Sequence, residues 1–204
     1  MTFQGQNSQA VGRAYNSSND GYEMMATRIE EGSLLSPETF AFELDAELRR
    51  AVRSRSDVTL VVLEARRETD ASGTADETAM LEIAEIIGDA VRDTDLVGFA
   101  DRAALGVVFV EANFHRSAHV LDRLMLLIGQ RAFVPAVRIE VGVASYPEHG
   151  VDAGSLKREA KSRPFLRETF GTNPPVSRPP QRHVQFHRKA DRRADSNRSG
   201  SLAS

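Results

Sequence analysis

The feature that most constrains the fold of this chain is a regular alternation of strand and helix periodicity between residues 57 and 145. Short β-branched or alternating apolar runs predict strands, whereas apolar residues that recur every three or four positions predict amphipathic helices. Two of the strands are separated by only a few residues and therefore predict a hairpin. The predicted elements are, in order, a strand at 58–63, a helix at 77–92, strands at 96–100 and 105–110, a helix at 116–129 and a strand at 137–144.

The resulting order, β-α-β-β-α-β, predicts an α+β domain with a ferredoxin-like core, in which helices cover one face of an antiparallel sheet. Two further helices flank this core. The first is predicted at 37–54, because Ser36 is a good N-cap and Pro37 suits the first helical position. The last is predicted from about Asp152, with a disturbance at Pro164. A fold of this type hosts many functions, so topology alone does not indicate which one applies here.

Composition indicates one folded domain with flexible ends. The chain has 204 residues, of which 41% are apolar, enough for one sizeable core. It has no cysteine, which excludes a disulfide scaffold and a thiolate metal site. No apolar run reaches the roughly 18 residues of a membrane span, so we expect a soluble, cytoplasmic protein without membrane contact. The expected organisation is a flexible segment at 1–33 with room for a short helix at 22–31, a domain at 34–173, and a tail at 174–204.

The C-terminal tail differs from the rest of the chain in charge. From Asn173 to Ser204 there are seven Lys and Arg residues against two Asp residues, so this segment carries +5 and the remainder −8 of the net −3. Its proline content and small number of aliphatic residues predict disorder. A basic tail can bind nucleic acid or an acidic partner through counter-ion release. A solvated tail without any partner is the alternative, and nucleic acid is expected at no other part of the chain.

One motif gives a specific resemblance. The segment Val141-Gly-Val-Ala-Ser-Tyr-Pro-Glu-His-Gly150 resembles the "GVA-YP" strand and glycine turn of the GGDEF family of diguanylate cyclases, and the resemblance extends over about residues 34 to 173. Downstream, Ala160, Phe165, Gly171 and Asn173 fall where that family has its Ala-Asp…Tyr…Gly…Asn pattern. The resemblance implies a core of the nucleotide-cyclase type with extra N- and C-terminal helices.

The resemblance also implies loss of catalysis. Family members hold two metal ions with carboxylates at the end of the first strand and in the hairpin signature Gly-Gly-Asp/Glu-Glu-Phe, and the metals activate the attacking hydroxyl. Here the signature positions have lost both glycines and both acids, and Glu64 alone stands at the first-strand position. The family's guanine-binding Asn and Asp become Ser72 and Gly73, and Glu168 replaces a phosphate-binding lysine. We therefore expect no enzyme activity, no catalytic residue and no metal or cofactor. The signature positions here are Asp101, Arg102, Ala103, Ala104 and Leu105.

A second family motif is retained. Arg92-x-x-Asp95 precedes the altered signature at the spacing of the family's product-binding inhibitory site, and Arg123 falls where the family has a further arginine of that site. A guanidinium can bind phosphate oxygens or the O6/N7 edge of guanine, and a carboxylate accepts from guanine N1 and N2. The resemblance thus implies that cyclic di-GMP binds to Arg92, Asp95 and Arg123.

Two interpretations remain open from the sequence. The first is a cyclic di-GMP receptor that acts on a protein partner or as a homodimer. The second is an interaction or scaffold domain, such as a dimerisation domain, that binds no ligand. In the second case Arg92 interacts with a helix dipole and Asp95 caps a turn, so both residues serve the fold alone.

Overall fold

The computed structural model describes residues 34–67 and 76–171. These residues form one five-stranded sheet and four helices. The segments expected to be flexible at 1–33, including the helix at 22–31, and at 174–204 lie outside them. In chain order the elements are α1 (Pro37–Ser54), β1 (Val58–Arg67), α2 (Glu77–Gly88), β2 (Leu96–Asp101), β3 (Ala104–Val110), α3 (Phe114–Gly129), β4 (Val137–Tyr146), α4 (Ala153–Ser162) and β5 (Pro164–Phe170).

The sheet has the strand order β2-β3-β1-β4-β5, and every neighbouring pair is antiparallel. Its first four strands with α2 and α3 make the predicted β-α-β-β-α-β core. The long strand β1 lies in the centre and pairs with β3 on one side and β4 on the other. The predicted α+β fold class, with additional helices at both ends of the core, is therefore confirmed.

Helices cover both faces of the sheet. Alternate residues of β1 divide between two apolar clusters, because successive side chains of a strand point to opposite faces. Val61 and Leu63 pack with α2 and α3, whereas Leu60 and Val62 pack with α1 and α4. The prediction of helices on one face thus holds for the two helices of the core, and the two flanking helices form the second layer.

Three glycines form a row across the face that α1 and α4 cover. Gly98 pairs with Gly106, and Val62 of β1 lies in register between Gly106 and Gly142. A Cβ atom on any of the three would come within 2.6 Å of an atom packed on this face. The absence of a side chain therefore lets these neighbouring groups lie directly on the sheet backbone. The closest groups are, in order, Leu35, the ring of Phe40 and the carbonyl oxygen of Ala160.

The helices begin at side-chain caps, as the sequence indicated for the first of them. The hydroxyl of Ser36 accepts a hydrogen bond of 3.2 Å from the Thr39 amide, with Pro37 as the first helical residue. At α4, the Asp152 side chain accepts a hydrogen bond from the Ser155 amide, and the Ser155 hydroxyl oxygen accepts one from the Asp152 amide. Of the helices in the described ranges, none is long and apolar enough to cross a membrane.

The C-terminal end of the domain differs from the prediction. The last helix is not merely disturbed at Pro164 but ends at Ser162, and Pro164 begins the edge strand β5. Proline is tolerated at the first position of an edge strand, because no ladder hydrogen bond is required of its nitrogen there. Pro164 and the residues from Leu166 to Phe170 pair with β4, and Phe165 lies at an irregularity of the register between them. Phe165, matched to the tyrosine of the family pattern, therefore lies in a strand, and Asn173 lies outside the described residues.

The two edges of the sheet differ from each other. At the centre of β2, the Leu35 amide donates to the Val97 carbonyl at 3.1 Å, and the Phe99 amide donates to the Leu35 carbonyl at 2.9 Å. The segment before α1 therefore pairs with outward-facing groups of β2. The opposite edge is β5, which within the described residues pairs with β4 alone.

Candidate ligand-binding site

The turn between α2 and β2 carries the first two predicted site residues. Helix α2 ends at Gly88 rather than near 92, so Arg92 lies beyond the helix in this turn. The Asp95 amide donates to the Arg92 carbonyl at 2.9 Å, and the Arg92 amide donates to Asp95 Oδ2 at 3.1 Å. The Val110 amide donates to Asp95 Oδ1 at 3.2 Å. Asp95 therefore closes the turn and fastens the start of β2 to the end of β3.

Arg92 contributes to this turn only through its backbone. Its side chain is exposed, and its guanidinium has no hydrogen-bond or ion-pair partner within residues 34–67 and 76–171. A guanidinium carries five N–H donors in a planar fork. These donors are consequently available to a ligand without breaking any contact of the described fold.

Arg123 reaches the same turn from α3. Its Nη2 donates to the carbonyl oxygen of Ala90 at 2.6 Å, two residues before Arg92 along the chain. Carbonyl groups just past a helix end lack helical partners, and a cationic donor stabilises them. The structure therefore brings Arg92, Asp95 and Arg123 to one region, although they come from a turn and a distant helix.

A groove of about 420 Å³ lies beside this region, between the C-terminal ends of α2 and α3. It shares Ala90 with the Arg123 contact. Its walls combine aliphatic and polar side chains, and Arg92, Asp95 and Arg123 are not among the residues that line it. The lining residues are Ile86, Asp89, Ala90, Leu127, Gln130 and Arg131.

At the other end of β2 lies the hairpin turn where the resemblance places the catalytic signature. Asp101 pairs with Ala104 across a two-residue turn, and the Ala103 amide donates to Asp101 Oδ1 at 2.8 Å. An aspartate that binds its own backbone two residues later closes a tight turn without glycine. The next two signature positions, Ala104 and Leu105, are fully buried.

Lys161 of α4 contacts this turn, and sequence analysis did not single it out. Its Nζ is hydrogen-bonded to Asp101 Oδ2 and lies 4.0 Å from Glu64 Oε1. One helical turn earlier, Lys157 Nζ donates to the Ala100 carbonyl at 3.3 Å. Two lysines four residues apart lie on one face of a helix, and this spacing was the available signal.

The lysines alter the ionisation of the hairpin carboxylate. Burial alone would raise the pKa of Asp101. The hydrogen bonds from Lys161 and the Ala103 amide, with the positive charges of Lys161 and Lys157, outweigh burial and hold the pKa below its ordinary value. Asp101 is therefore a carboxylate that is already paired within the protein.

Other positions implied by the resemblance are dispersed. Ser72 and Gly73 lie outside the described residues. Glu168 lies on β5 at the sheet edge, where its register partner on β4 is Ile139. Within the described ranges, no three acidic, histidine or cysteine side chains come together in an arrangement that could hold a metal ion.

Comparison with solved structures identifies the fold. A diguanylate cyclase protein from Thermotoga maritima matches 64% of this chain and 95% of its own, with a TM-score of 0.54 and 16% identity. The GGDEF domain of YfiN (TpbB) from Pseudomonas aeruginosa matches 63% of this chain and 86% of its own, with a TM-score of 0.53 and 22% identity. The fold is that of the GGDEF domain.

A third GGDEF structure was solved with a bound nucleotide. The coiled coil and GGDEF domain of DgcB from Caulobacter crescentus, in complex with c-di-GMP, covers 78% of this chain and 92% of its own, with a TM-score of 0.55 and 16% identity. No protein-family model matches the sequence, and the search of curated proteins gave no match. At these identities the similarity establishes the GGDEF fold, and function has to be argued from this chain's own residues.

Proposed function

We propose that this protein is a catalytically inactive GGDEF-like domain that binds cyclic di-GMP and transmits binding to a protein partner or a second copy of itself. The observation that carries the proposal is the arrangement around Arg92. The exposed guanidinium of Arg92 has no partner among the described residues and belongs to the turn that Asp95 closes and Arg123 contacts, near an open groove. The c-di-GMP complex of a protein with the same fold supports this choice of ligand.

Each group has a chemical role in such a complex. Arg92 can bind two phosphate oxygens, or the O6/N7 edge of guanine, with parallel hydrogen bonds. Asp95 accepts one backbone hydrogen bond on each oxygen. A carboxylate has about four acceptor sites, so it retains capacity for the guanine N1 and N2 hydrogens. Arg123 adds a second positive charge close to the ligand phosphates.

The hairpin supports the absence of catalysis. The family's signature needs glycines because substrate approaches the backbone closely, and acids because the metals need oxygen ligands. Here the turn is closed by Asp101, which is bound to Ala103 and Lys161. Ala104 and Leu105 are packed in the core. We infer that neither nucleotide nor metal is held at this turn for reaction.

Binding is tested by calorimetric titration of the full chain with cyclic di-GMP. Because Arg92 makes no side-chain contact with other described residues, Arg92→Ala should leave the melting temperature unchanged. It should weaken affinity by about 10- to 100-fold, since charge-assisted hydrogen bonds contribute about 1.5–3 kcal/mol each. Arg123→Ala should weaken binding less if this residue only closes the site.

Arg102→Ala is the matched control for Arg92→Ala. It removes an equally exposed arginine at the opposite end of β2 and should not change affinity. Asp95→Asn should reduce both affinity and melting temperature, because Asp95 also holds the turn. Absence of saturation at roughly 100 µM ligand, a concentration at which even micromolar binding is complete, would refute the receptor proposal. Equal affinities of Arg92→Ala and wild type would refute it as well.

Inactivity is tested separately. Wild-type protein incubated with GTP and Mg²⁺ or Mn²⁺ should form no cyclic di-GMP detectable by chromatography above a control without protein. Substitution of Ala103 and Ala104 by acidic residues should not restore activity, because Ala104 is buried and Asp101 is already paired with Lys161. Product formation by the unmodified chain would contradict this part of the proposal.

A ligand-free interaction or scaffold domain is the second candidate. Two contacts favour it, because Asp95 and Arg123 both stabilise the α2–β2 turn without any ligand. In that case the titration gives no heat, and Asp95→Asn and Arg123→Ala affect stability alone. A cytoplasmic location, and binding of nucleic acid through the basic tail, stay predictions from the sequence.

A further inference from the structure

The metal site implied by the family resemblance can be tested against the residues present. The carboxylates of Glu64 on β1 and Asp101 on β2 are the two acids at that place. The space next to both is taken by an ammonium group, because Lys161 Nζ is bonded to Asp101 and lies 4.0 Å from Glu64 Oε1. A divalent ion requires several oxygen ligands, and here the oxygen of Asp101 that faces the site is already bound to the ammonium. The residues present do not fit a metal ion.

We propose that the ammonium group of Lys161 replaces the metal ion in this domain. It pairs with Asp101, lies close to Glu64, and thereby fastens α4 to the β2–β3 hairpin. The stability of the domain is consequently independent of divalent cations, and removal of the ammonium leaves an acidic site that recruits one. This inference does not depend on ligand binding at Arg92.

The surrounding charges support this assignment. Glu140 lies directly opposite Glu64 in the β1–β4 register, so two like charges are adjacent on one face of the sheet. Such a pair destabilises a sheet unless cations compensate it. Arg66 binds Glu64 at 2.9 Å, and Arg167 binds Glu140 at 3.3 Å. Asp101 is the third carboxylate, and Lys161 is the third cation. Three positive charges therefore balance three negative charges without a divalent ion.

The geometry also leaves room for an ion once the lysine side chain is removed. A cavity of about 60 Å³ adjoins the site and is lined by Glu64, Glu140 and Lys161 among others. The side chain of Lys161 is 39% exposed, so the site communicates with solvent. Replacement of Lys161 by a neutral side chain would remove the ammonium that separates this cavity, with its Glu64 and Glu140, from Asp101.

The test measures thermal unfolding of the full chain in EDTA, in about 5 mM MnCl₂, and in NaCl of the same ionic strength, because an ion that binds only the folded state raises the melting temperature. The wild type should melt at the same temperature in all three. Lys161→Met should melt lower in EDTA and in NaCl, and Mn²⁺ should restore part of the loss. Lys161→Arg, which retains the charge, should behave as the wild type does.

Lys157→Met is the matched control, because Lys157 donates to a backbone carbonyl of the same hairpin and not to a carboxylate. It should melt lower without recovery in Mn²⁺. Electron paramagnetic resonance of Mn²⁺ gives a second readout. Lys161→Met should reduce the signal of the free ion, whereas wild type and the double variant Lys161→Met, Asp101→Asn should leave it unchanged.

Three results would overturn the proposal. Stabilisation of the wild type by Mn²⁺ would show that a metal site exists beside Lys161. A wild-type melting temperature for Lys161→Met would show that the ammonium holds nothing in place. Destabilisation of Lys161→Met without recovery in Mn²⁺ would reduce Lys161 to an ordinary ion pair. If Lys161→Met does not fold in EDTA, folding with Mn²⁺ but not with NaCl supports the proposal, and failure in both overturns it.

Discussion

At the scale of single residues, the pKa values of two carboxyl groups in this domain are shifted in opposite directions. Asp101 is paired with Lys161, and its pKa is lowered. Glu168 on β5 has a raised pKa, mainly because burial penalises the charged form and also because Asp122 of α3 is negative. Glu168 stands where the resemblance expects a phosphate-binding lysine. A carboxyl side chain has no positive charge with which to bind phosphate, whatever its protonation state.

The raised pKa of Glu168 predicts a pH-dependent stability. A folded pKa above the unfolded one stabilises the fold while the group is protonated. This contribution is complete below the unfolded pKa and is lost as the pH rises through the folded pKa. Glu168→Gln, which is neutral at every pH, should therefore raise the melting temperature at about pH 7 and change it little near pH 4.

Glu148→Gln is the control for this comparison, because Glu148 is exposed in the turn after β4. Its effect on the melting temperature should be small and should not change sign over the same pH range. A melting temperature of Glu168→Gln that falls below that of the wild type at neutral pH would contradict the prediction.

Residue-scale predictability depended on whether the family resemblance covered the residue. It grouped Arg92, Asp95 and Arg123 in one site, and the structure brings them to one region although the Arg123 contact spans 33 positions. The bond from the Val110 amide to Asp95 spans 15 positions, and the contact of Lys161 with Asp101 spans 60. No local pattern encodes such contacts, because they depend on strand register and helix packing.

At the scale of elements, the position of α4 depends on Gly142 of β4. A Cβ at Gly142 would lie 1.8 Å from the Ala160 carbonyl oxygen, which belongs to the helix backbone and cannot rotate away. Gly142→Ala should therefore displace α4 and lower the free energy of unfolding by about 1–3 kcal/mol, the usual cost of overpacking. Urea denaturation at constant temperature measures this difference.

Gly88→Ala is the matched control. Gly88 ends α2, and a Cβ there meets nothing within 4 Å. Alanine favours helix over glycine by up to about 1 kcal/mol, so this variant should be neutral or more stable. Equal stability of Gly142→Ala and the wild type would mean that α4 does not rest on β4 as described.

A helix or strand could be predicted where its own residues show a cap or an apolar period. The helix α1 has the predicted bounds, because its cap and its apolar period are both local. Strand β5 was missed, because its residues follow a proline and alternate only weakly, with Phe170 alone fully buried. This strand forms because it pairs with β4, and that pairing cannot be predicted from the residues of β5 alone.

At the scale of the whole molecule, the pattern of elements specifies the fold more strongly than residue identity does. This chain matches GGDEF structures over 63% to 78% of its length at 16% to 22% identity. The order of the core strands and helices in this chain was read from its sequence, whereas β5 was not. The second helical layer was predicted as two helices, but the face that they cover follows only from packing.

The difference between the two sheet edges limits how copies of this domain can assemble. A sheet with two free edges can add chains on both sides and grow into a fibre. In the part of the chain that the structure describes, Leu35 occupies the centre of the β2 edge, so strand addition is confined to β5. If two copies paired through their β5 strands, neither would have a free strand edge left, because Leu35 covers β2 at the other edge of each sheet. Association of this kind ends at a pair.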